Sequence, residues 1–272
     1  MTSKLRTSPL PSSWSRAPAW QSTLGAALCA AFLATGCAGT PPVPAPKAAP
    51  AQPEATSGFT PKPGWATSRF AVAAANPLAT EAGYQMLKAG GSAIDAAIAV
   101  QMVLALVEPQ SSGIGGGAFL LHAHGATVQA FDGRETAPAA ADENLLLGAD
   151  GKPLPFYEGV VGGRSVGTPG AVRMLELAHR QHGKLPWARL FAPAIALAEN
   201  GFAVSPRLAA LLQNDKYLKN DPRAAAYFYQ PDGTPLAAGS LLRNPALADV
   251  LRQMAAQGAD ALHTGPVAQA IV

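Results

Sequence analysis

The sequence predicts an α+β fold that is mostly helical. Three observations carry this reading. Apolar residues recur at helical spacing in several segments, with a capping residue before them or a glycine after them. Two short apolar segments, residues 118–122 and 127–131, flank Ala123-His124-Gly125 and read as a β-hairpin. Apolar residues make up 49% of the 272 and charged residues 14%, so the chain can bury a substantial core.

Residues 1–36 read as an export signal. Lys4, Arg6 and Arg16 form a basic start without acids, and the apolar run LGAALCAAFLATG ends directly before Cys37. That run is too short to span a membrane as a stable helix. Ala34, Thr35 and Gly36 before the cysteine resemble a bacterial lipobox, although Leu33 lies one place early. Cleavage there would leave a lipid-carrying Cys37; the alternative is an ordinary secretory signal that contains a cysteine. Ala38 follows where an Asp would retain the protein at the inner membrane. The expected location is therefore the periplasmic side of the envelope, at the outer membrane of a Gram-negative cell.

The three leader cations account for the whole formal net charge of +3. The rest of the chain carries no basic field for nucleic acid. Cys29 is the only other cysteine and leaves with the leader. Residues 38–272 therefore hold no disulfide, no cysteine nucleophile and no cysteine-bound metal.

Residues 37–64 are rich in Pro and Ala, cannot form a packed core, and read as an extended tether. The folded part, 65–272, opens with a short strand at 69–75. A helix is expected over 78–89, with Leu78, Ala82, Met86 and Ala89 on one face and Gly90-Gly91 as its stop. A second starts at Ser92, with Asp95 placed to satisfy free N–H groups. Its run AIDAAIAVQMVLALV is apolar nearly all round, which marks a helix buried on most sides.

Gly113–Gly117 form a turn before the hairpin, and Asp132-Gly133 another after it. Residues 137–167 are loop-rich, with a short helix expected at 140–146. Helices follow over 170–181, 186–200, 205–218 and 245–257, with Gly183, Gly201 and Gly258 as C-caps. Gln230-Pro-Asp-Gly233 is a turn. Pro266 opens a last helical pattern in which the sequence stops, as a truncated chain would.

Among residues that can carry chemistry, Arg134 comes first. A guanidinium offers a rigid fork of donors that matches a carboxylate in two parallel bonds. The blander reading is a solvated arginine paired with Glu135 or Asp132. The Gly113-Ile-Gly-Gly-Gly117 loop could present N–H groups to an anion. No Lys-Ser/Thr follows it, however, and a strand comes next in place of a helix, so a packing turn is favoured over a phosphate cradle. His122, His124, His179, His182 and His263 lack a third ligand at metal spacing and read as structural or surface residues. Ser165 sits in GRSVGTPG, outside any G-x-S-x-G elbow and without a nearby base.

Five segments together resemble the γ-glutamyltranspeptidase (glutathione hydrolase) family. They are NPLATEAGYQMLKAGGSAIDAAIAV, VEPQSSGIGGGAFLL, GRETAP, SVGTPGAV and APAIALAENGFAVS, in the family's order. Asn76 stands where the family often has His. The resemblance covers about residues 70–272 and implies the N-terminal part of a large subunit. With the leader and tether read above, the chain divides into a lipoprotein-type signal at 1–36, a tether at 37–64 and a partial large-subunit domain at 65–272.

The resemblance further implies an N-terminal-nucleophile hydrolase αββα sandwich, here incomplete and mostly helical. Members are precursors that cut themselves into two subunits, and the freed threonine of the small subunit attacks the γ-glutamyl amide. Its own α-amine serves as base. Arg134 matches the arginine that grips the α-carboxylate of the γ-glutamyl group. The Thr-Thr-His cleavage segment is not in the sequence, so no catalytic residue is assigned and the chain alone is expected to be inactive.

The expected function is γ-glutamyl hydrolysis and transfer, with the small subunit of the same precursor as partner and the membrane reached through the lipid. No metal or organic cofactor is implied. The alternatives are a related β-lactam side-chain acylase and a non-catalytic truncated lipoprotein that binds glutamyl compounds.

Overall fold

A computed structural model describes Gly64 and residues 66–272 of the chain. The signal peptide, Cys37, Trp65 and the tether up to residue 63 lie outside the described residues.

The strand expected at 69–75 does not form. The segment is extended, and exposed Ala71, Ala73 and Ala75 alternate with half-buried Phe70, Val72 and Ala74. It has the alternation of a strand but no ladder partner among the described residues, and a strand is defined by its partner.

Helix α1, Pro77–Lys88, is capped by Asn76, whose Oδ1 accepts from the Leu78 N–H at 3.0 Å. Its buried face is Ala79, Ala82, Gly83 and Met86; Leu78 and Ala89 are exposed, one step round from the expected face. Gly83 sets the distance to α2, because a Cβ there would stand 2.7 Å from the Val100 side chain. Gly90, at φ 88°, turns the chain.

Helix α2, Ala93–Val107, starts with a reciprocal capping box between Ser92 and Asp95. Ile98, Ala99, Met102 and Val103 are fully buried at the centre of the core. Asp95 does more than cap. It is fully buried, and its Oδ2 accepts from the backbone N–H groups of Ser92 (2.8 Å), Lys184 (3.0 Å) and Leu185 (3.1 Å). His179 Nε2 lies 2.9 Å from the Leu185 carbonyl and so donates to it. One carboxylate thus ties the start of α2 to the loop at 183–185. At the other end of α2, buried Glu108 accepts from Asn76 Nδ2 at 2.9 Å and from Arg207 Nη1 at 3.3 Å.

Strands β1 (Ala118–His124) and β2 (Thr127–Gly133) pair antiparallel from Ala118↔Gly133 to His124↔Thr127. Both are longer than expected. The turn is Gly125-Ala126, one step later, and Asp132-Gly133 closes the ladder instead of turning. One face carries Leu120 and Phe131 towards the core. The other carries Phe119, Leu121 and Val128, which are 69%, 74% and 65% exposed.

The helix expected at 140–146 is replaced by turns. Asp142 Oδ1 accepts from the Asn144 N–H at 2.9 Å, a local bond that competes with helix formation. A short helix, α3 (Phe156–Val160), lies in the segment read as loop. Helix α4, Ala171–His182, follows its expected range and packs on β2 and α2. The helix expected over 186–200 divides into a 3-10 turn, Trp187–Phe191, and α5, Ala192–Asn200. Pro193 explains the division, since it has no N–H to continue the ladder.

Strand β3 (Phe202–Ala203) pairs with β4 (Leu241–Leu242), neither of them expected. Helix α6, Pro206–Asn214, stops short of Leu218, where Asp215 Oδ1 takes the Tyr217 and Leu218 N–H groups. A further helix, α7 (Pro222–Phe228), is capped by Asp221. Helix α8, Pro245–Gln257, packs on α5 as expected from its pattern. The chain ends with α9 (Asp260–His263) and α10 (Gly265–Ile271). The described residues thus form an α+β fold in which β1–β2 and β3–β4 are two-stranded sheets.

Candidate functional site

The glycine loop acts as a lock. The Gly116 carbonyl accepts from the Gly170 and Ala171 N–H groups at 3.0 and 3.1 Å, which uses the first donors of α4. The loop contributes a carbonyl to this contact, and the N–H groups so used belong to the start of α4. None of Gly113 to Gly117 has a positive φ. Close approach is what requires glycine at Gly117, where a Cβ would lie 2.5 Å from Glu135 N and 2.7 Å from Arg134 Cα.

Gly170 presses from the other side, where a Cβ would lie 2.4 Å from the Gly133 carbonyl oxygen and 2.6 Å from that of Arg134. Thr136 and Thr168 exchange backbone hydrogen bonds at 3.3 and 2.8 Å. The GRETAP segment is therefore clamped between two glycine-bearing segments far apart in sequence. The backbone of Arg134 has little room to move, which suits a residue that must present a side chain in one place.

The Arg134 side chain is 56% exposed, and its Nη2 pairs with Glu135 Oε1 at 2.9 Å. Its backbone N–H donates to Asp132 Oδ1 at 2.9 Å. Both acids named from the sequence are thus at hand, and Glu135 holds the guanidinium. An ion pair this exposed is worth about 0–1 kcal/mol, so a ligand carboxylate can displace it.

Arg134 lines a cavity of about 220 Å3 together with Thr136, Thr168, Arg173 and His263. Sequence reasoning missed Arg173 and treated His263 as structural or surface. No local signal marks either as a neighbour of Arg134; long-range packing brings them there. His263 Nε2 is buried without a hydrogen-bond partner. Burial, and then the nearby Arg173 cation, hold its pKa below the ordinary value against the pull of Asp260. Asp260 is in turn held low, chiefly by its hydrogen bond from Arg173.

The other histidines have structural surroundings. His122 stacks on His182 at 4.0 Å between ring centroids, and His182 Nε2 lies 2.8 Å from Gln129 Oε1. His124 is exposed at the hairpin end. Ser165 Oγ donates to the Val160 carbonyl at 2.9 Å, and no base accompanies it in that contact. Among the described residues no group of three His, Cys, Asp or Glu could hold a metal ion.

The family model described as Gamma-glutamyltranspeptidase matches residues 79–272. A glutathione hydrolase proenzyme of Bacillus subtilis is 40% identical over 202 residues, covering 74% of this chain and 34% of its own length. The γ-glutamyltranspeptidase crystal structure from Helicobacter pylori superposes with a TM-score of 0.73 at 34% identity, covering 77% of this chain and 60% of that one. A cephalosporin acylase from Bacillus halodurans superposes with a TM-score of 0.63 at 32% identity, covering 78% and 42%. The chain spans about a third of the length of the curated relatives it matches, 34% for the Bacillus subtilis protein. The α+β architecture is accordingly an incomplete N-terminal-nucleophile hydrolase fold. With a match from residue 79 to residue 272 and these structural likenesses, the chain belongs to the γ-glutamyltranspeptidase family.

Proposed function

We propose that this chain is the donor-binding part of a γ-glutamyl hydrolase/transferase, and that Arg134 holds the α-carboxylate of the γ-glutamyl group. The observation that carries the reading is the clamped GRETAP segment, which fixes a half-exposed guanidinium at the mouth of a cavity. Desolvating a substrate carboxylate is costly unless a charged, hydrogen-bonding partner receives it.

The nucleophile is a threonine with a free α-amine, supplied by a small subunit. Its hydroxyl oxygen bonds to the γ-carbonyl carbon while the amine takes the proton and passes it to the leaving nitrogen. The C–N bond breaks and a γ-glutamyl ester remains. Water then releases glutamate, or an amino acid nitrogen forms a new γ-glutamyl amide. Thr136, Thr168 and Thr264 of this chain stand outside any Thr-Thr-His segment and do not take that part.

The small subunit has a surface to cover. Phe119, Leu121 and Val128 form an apolar outer face on the hairpin, and Phe119 pairs with Asp132, two residues before Arg134. A partner seated there would take this apolar surface out of water. The test is hydrolysis of a γ-glutamyl anilide. The complete proenzyme is expected to turn it over, and residues 38–272 alone are not. Turnover by the part, or none by the proenzyme, would overturn the reading.

The likeness to a cephalosporin acylase supports a second reading, a glutaryl-type acylase that uses Arg134 on the far carboxylate of the acyl chain. Such an enzyme would prefer glutaryl over γ-glutamyl anilide in the same assay. For location, the reading rests on sequence alone: export, cleavage before Cys37, and a lipid anchor facing the periplasm. Cys37→Ser is then expected to abolish incorporation of labelled palmitate, and retained label would refute the anchor.

A further inference from the structure

We infer that the His122–His182 stack is an acid-sensitive latch, which holds the far end of the β1–β2 hairpin on α4 near neutral pH and releases it below about pH 6. The near end, which carries Arg134, stays clamped.

The hairpin meets α4 at two places of different chemistry. At the Arg134 end the contact is steric: a Cβ on Gly133 would stand 2.5 Å from Met174 Cβ and 3.1 Å from the Gly170 carbonyl oxygen. No proton changes that fit. At the other end the contact is polar. His122 of β1 lies opposite Gln129 of β2. Its ring stacks on that of His182, the last residue of α4, with centroids 4.0 Å apart and planes 25° apart. His182 Nε2 donates to Gln129 Oε1 at 2.8 Å, and Gln129 Nε2 donates to Gln181 Oε1 at 2.7 Å. The Phe131 ring stands edge-on to His182 and closes the cluster.

This stack is stable only while the two imidazoles are not both charged. Burial first, then the charges of His182 and His124, hold the His122 pKa below the ordinary value. The other ionisable side chains of α4 are engaged elsewhere: Arg173 with Asp260 and Glu176, Arg180 with Glu176, and His179 with the Leu185 carbonyl. On β2, Asp132 lies opposite Phe119 and takes the Arg134 N–H. The charges acting on His122 are therefore basic, without a carboxylate to offset them. A shared metal ion does not fit the same rings, because their lone pairs lie in nearly parallel planes and do not converge.

The direction follows from proton binding. A released His122 returns to the ordinary histidine value, about 6.5. Below it the released form binds more protons than the stacked form. The contact is thus at full strength above that pH and weakens as pH falls.

The test is hydrogen exchange read by mass spectrometry on the complete proenzyme at pH 7.5 and 5.0, corrected for the intrinsic rate. Protection over residues 120–130 is expected to fall about fivefold in acid, the effect of two unit charges at this spacing in water. Protection over 131–136 should hold. His122→Gln and His182→Gln should each abolish the acid sensitivity, and the double variant should add nothing further. Self-cleavage into two subunits reports folding of every variant. In 13C-histidine spectra, His122 should titrate at higher pH in His182→Gln than in the wild type. An equal acid loss in wild type and variants, no loss in the wild type, or a His122 titration indifferent to His182 would overturn the inference.

Discussion

Arg134→Ala in the complete proenzyme is expected to raise KM for γ-glutamyl donors by roughly a hundredfold, with a much smaller change in kcat. Charge-assisted hydrogen bonds contribute about 1.5–3 kcal/mol each, and a forked pair to one carboxylate reaches the hundredfold range at ~1.4 kcal/mol per decade. The effect falls on KM because the α-carboxylate sits away from the bond that breaks and is held alike in ground and transition states. Folding is spared, since the side chain is 56% exposed and its ion pair lies at the surface. Arg134→Lys should recover only part of the affinity, because an ammonium cannot match the two oxygens together. Steady-state kinetics beside a thermal melt separates the cases: an unchanged KM removes Arg134 from the site, and a large fall in Tm makes it a structural residue.

Asp95→Ala is expected to cost about 3–5 kcal/mol of stability, the range for breaking a buried charged network. Three backbone N–H groups, of Ser92, Lys184 and Leu185, lose their acceptor at a fully buried position. Water cannot replace it without opening the start of α2. For a domain of this size the loss corresponds to a drop in Tm of roughly 10 °C. Asp95→Asn keeps the shape and a neutral acceptor and should lose less. A urea titration or calorimetric scan decides, and a shift below about 2 °C for the alanine variant would remove Asp95 as the tie.

Local structure followed closely from local signals. Ser92 and Asp95 announced α2 and its capping box, and the Pro245–Gln257 pattern became α8 with Gly258 at its end. Misreadings arose where a single residue outvoted a pattern. Pro193 cut one helix in two, and Asp142 turned a helical composition into turns. The segment at 69–75 failed for a different reason: alternation is local, but a strand's partner is not.

The site divides in the same way. Arg134 was legible because it follows a strand inside a recognisable motif, whereas Arg173 and His263 reach it only through folding. The reach of Asp95 to Lys184 and Leu185 was equally hidden, because the sequence showed only its capping role.

β1 and β2 have no third strand on either side among the described residues, and their outer face is greasy with Phe119, Leu121 and Val128. Bare edges beside such a face recruit further copies, strand upon strand, and association steepens with concentration. Dilution, or a lysine in place of Leu121, is the physical remedy that would keep isolated preparations in solution.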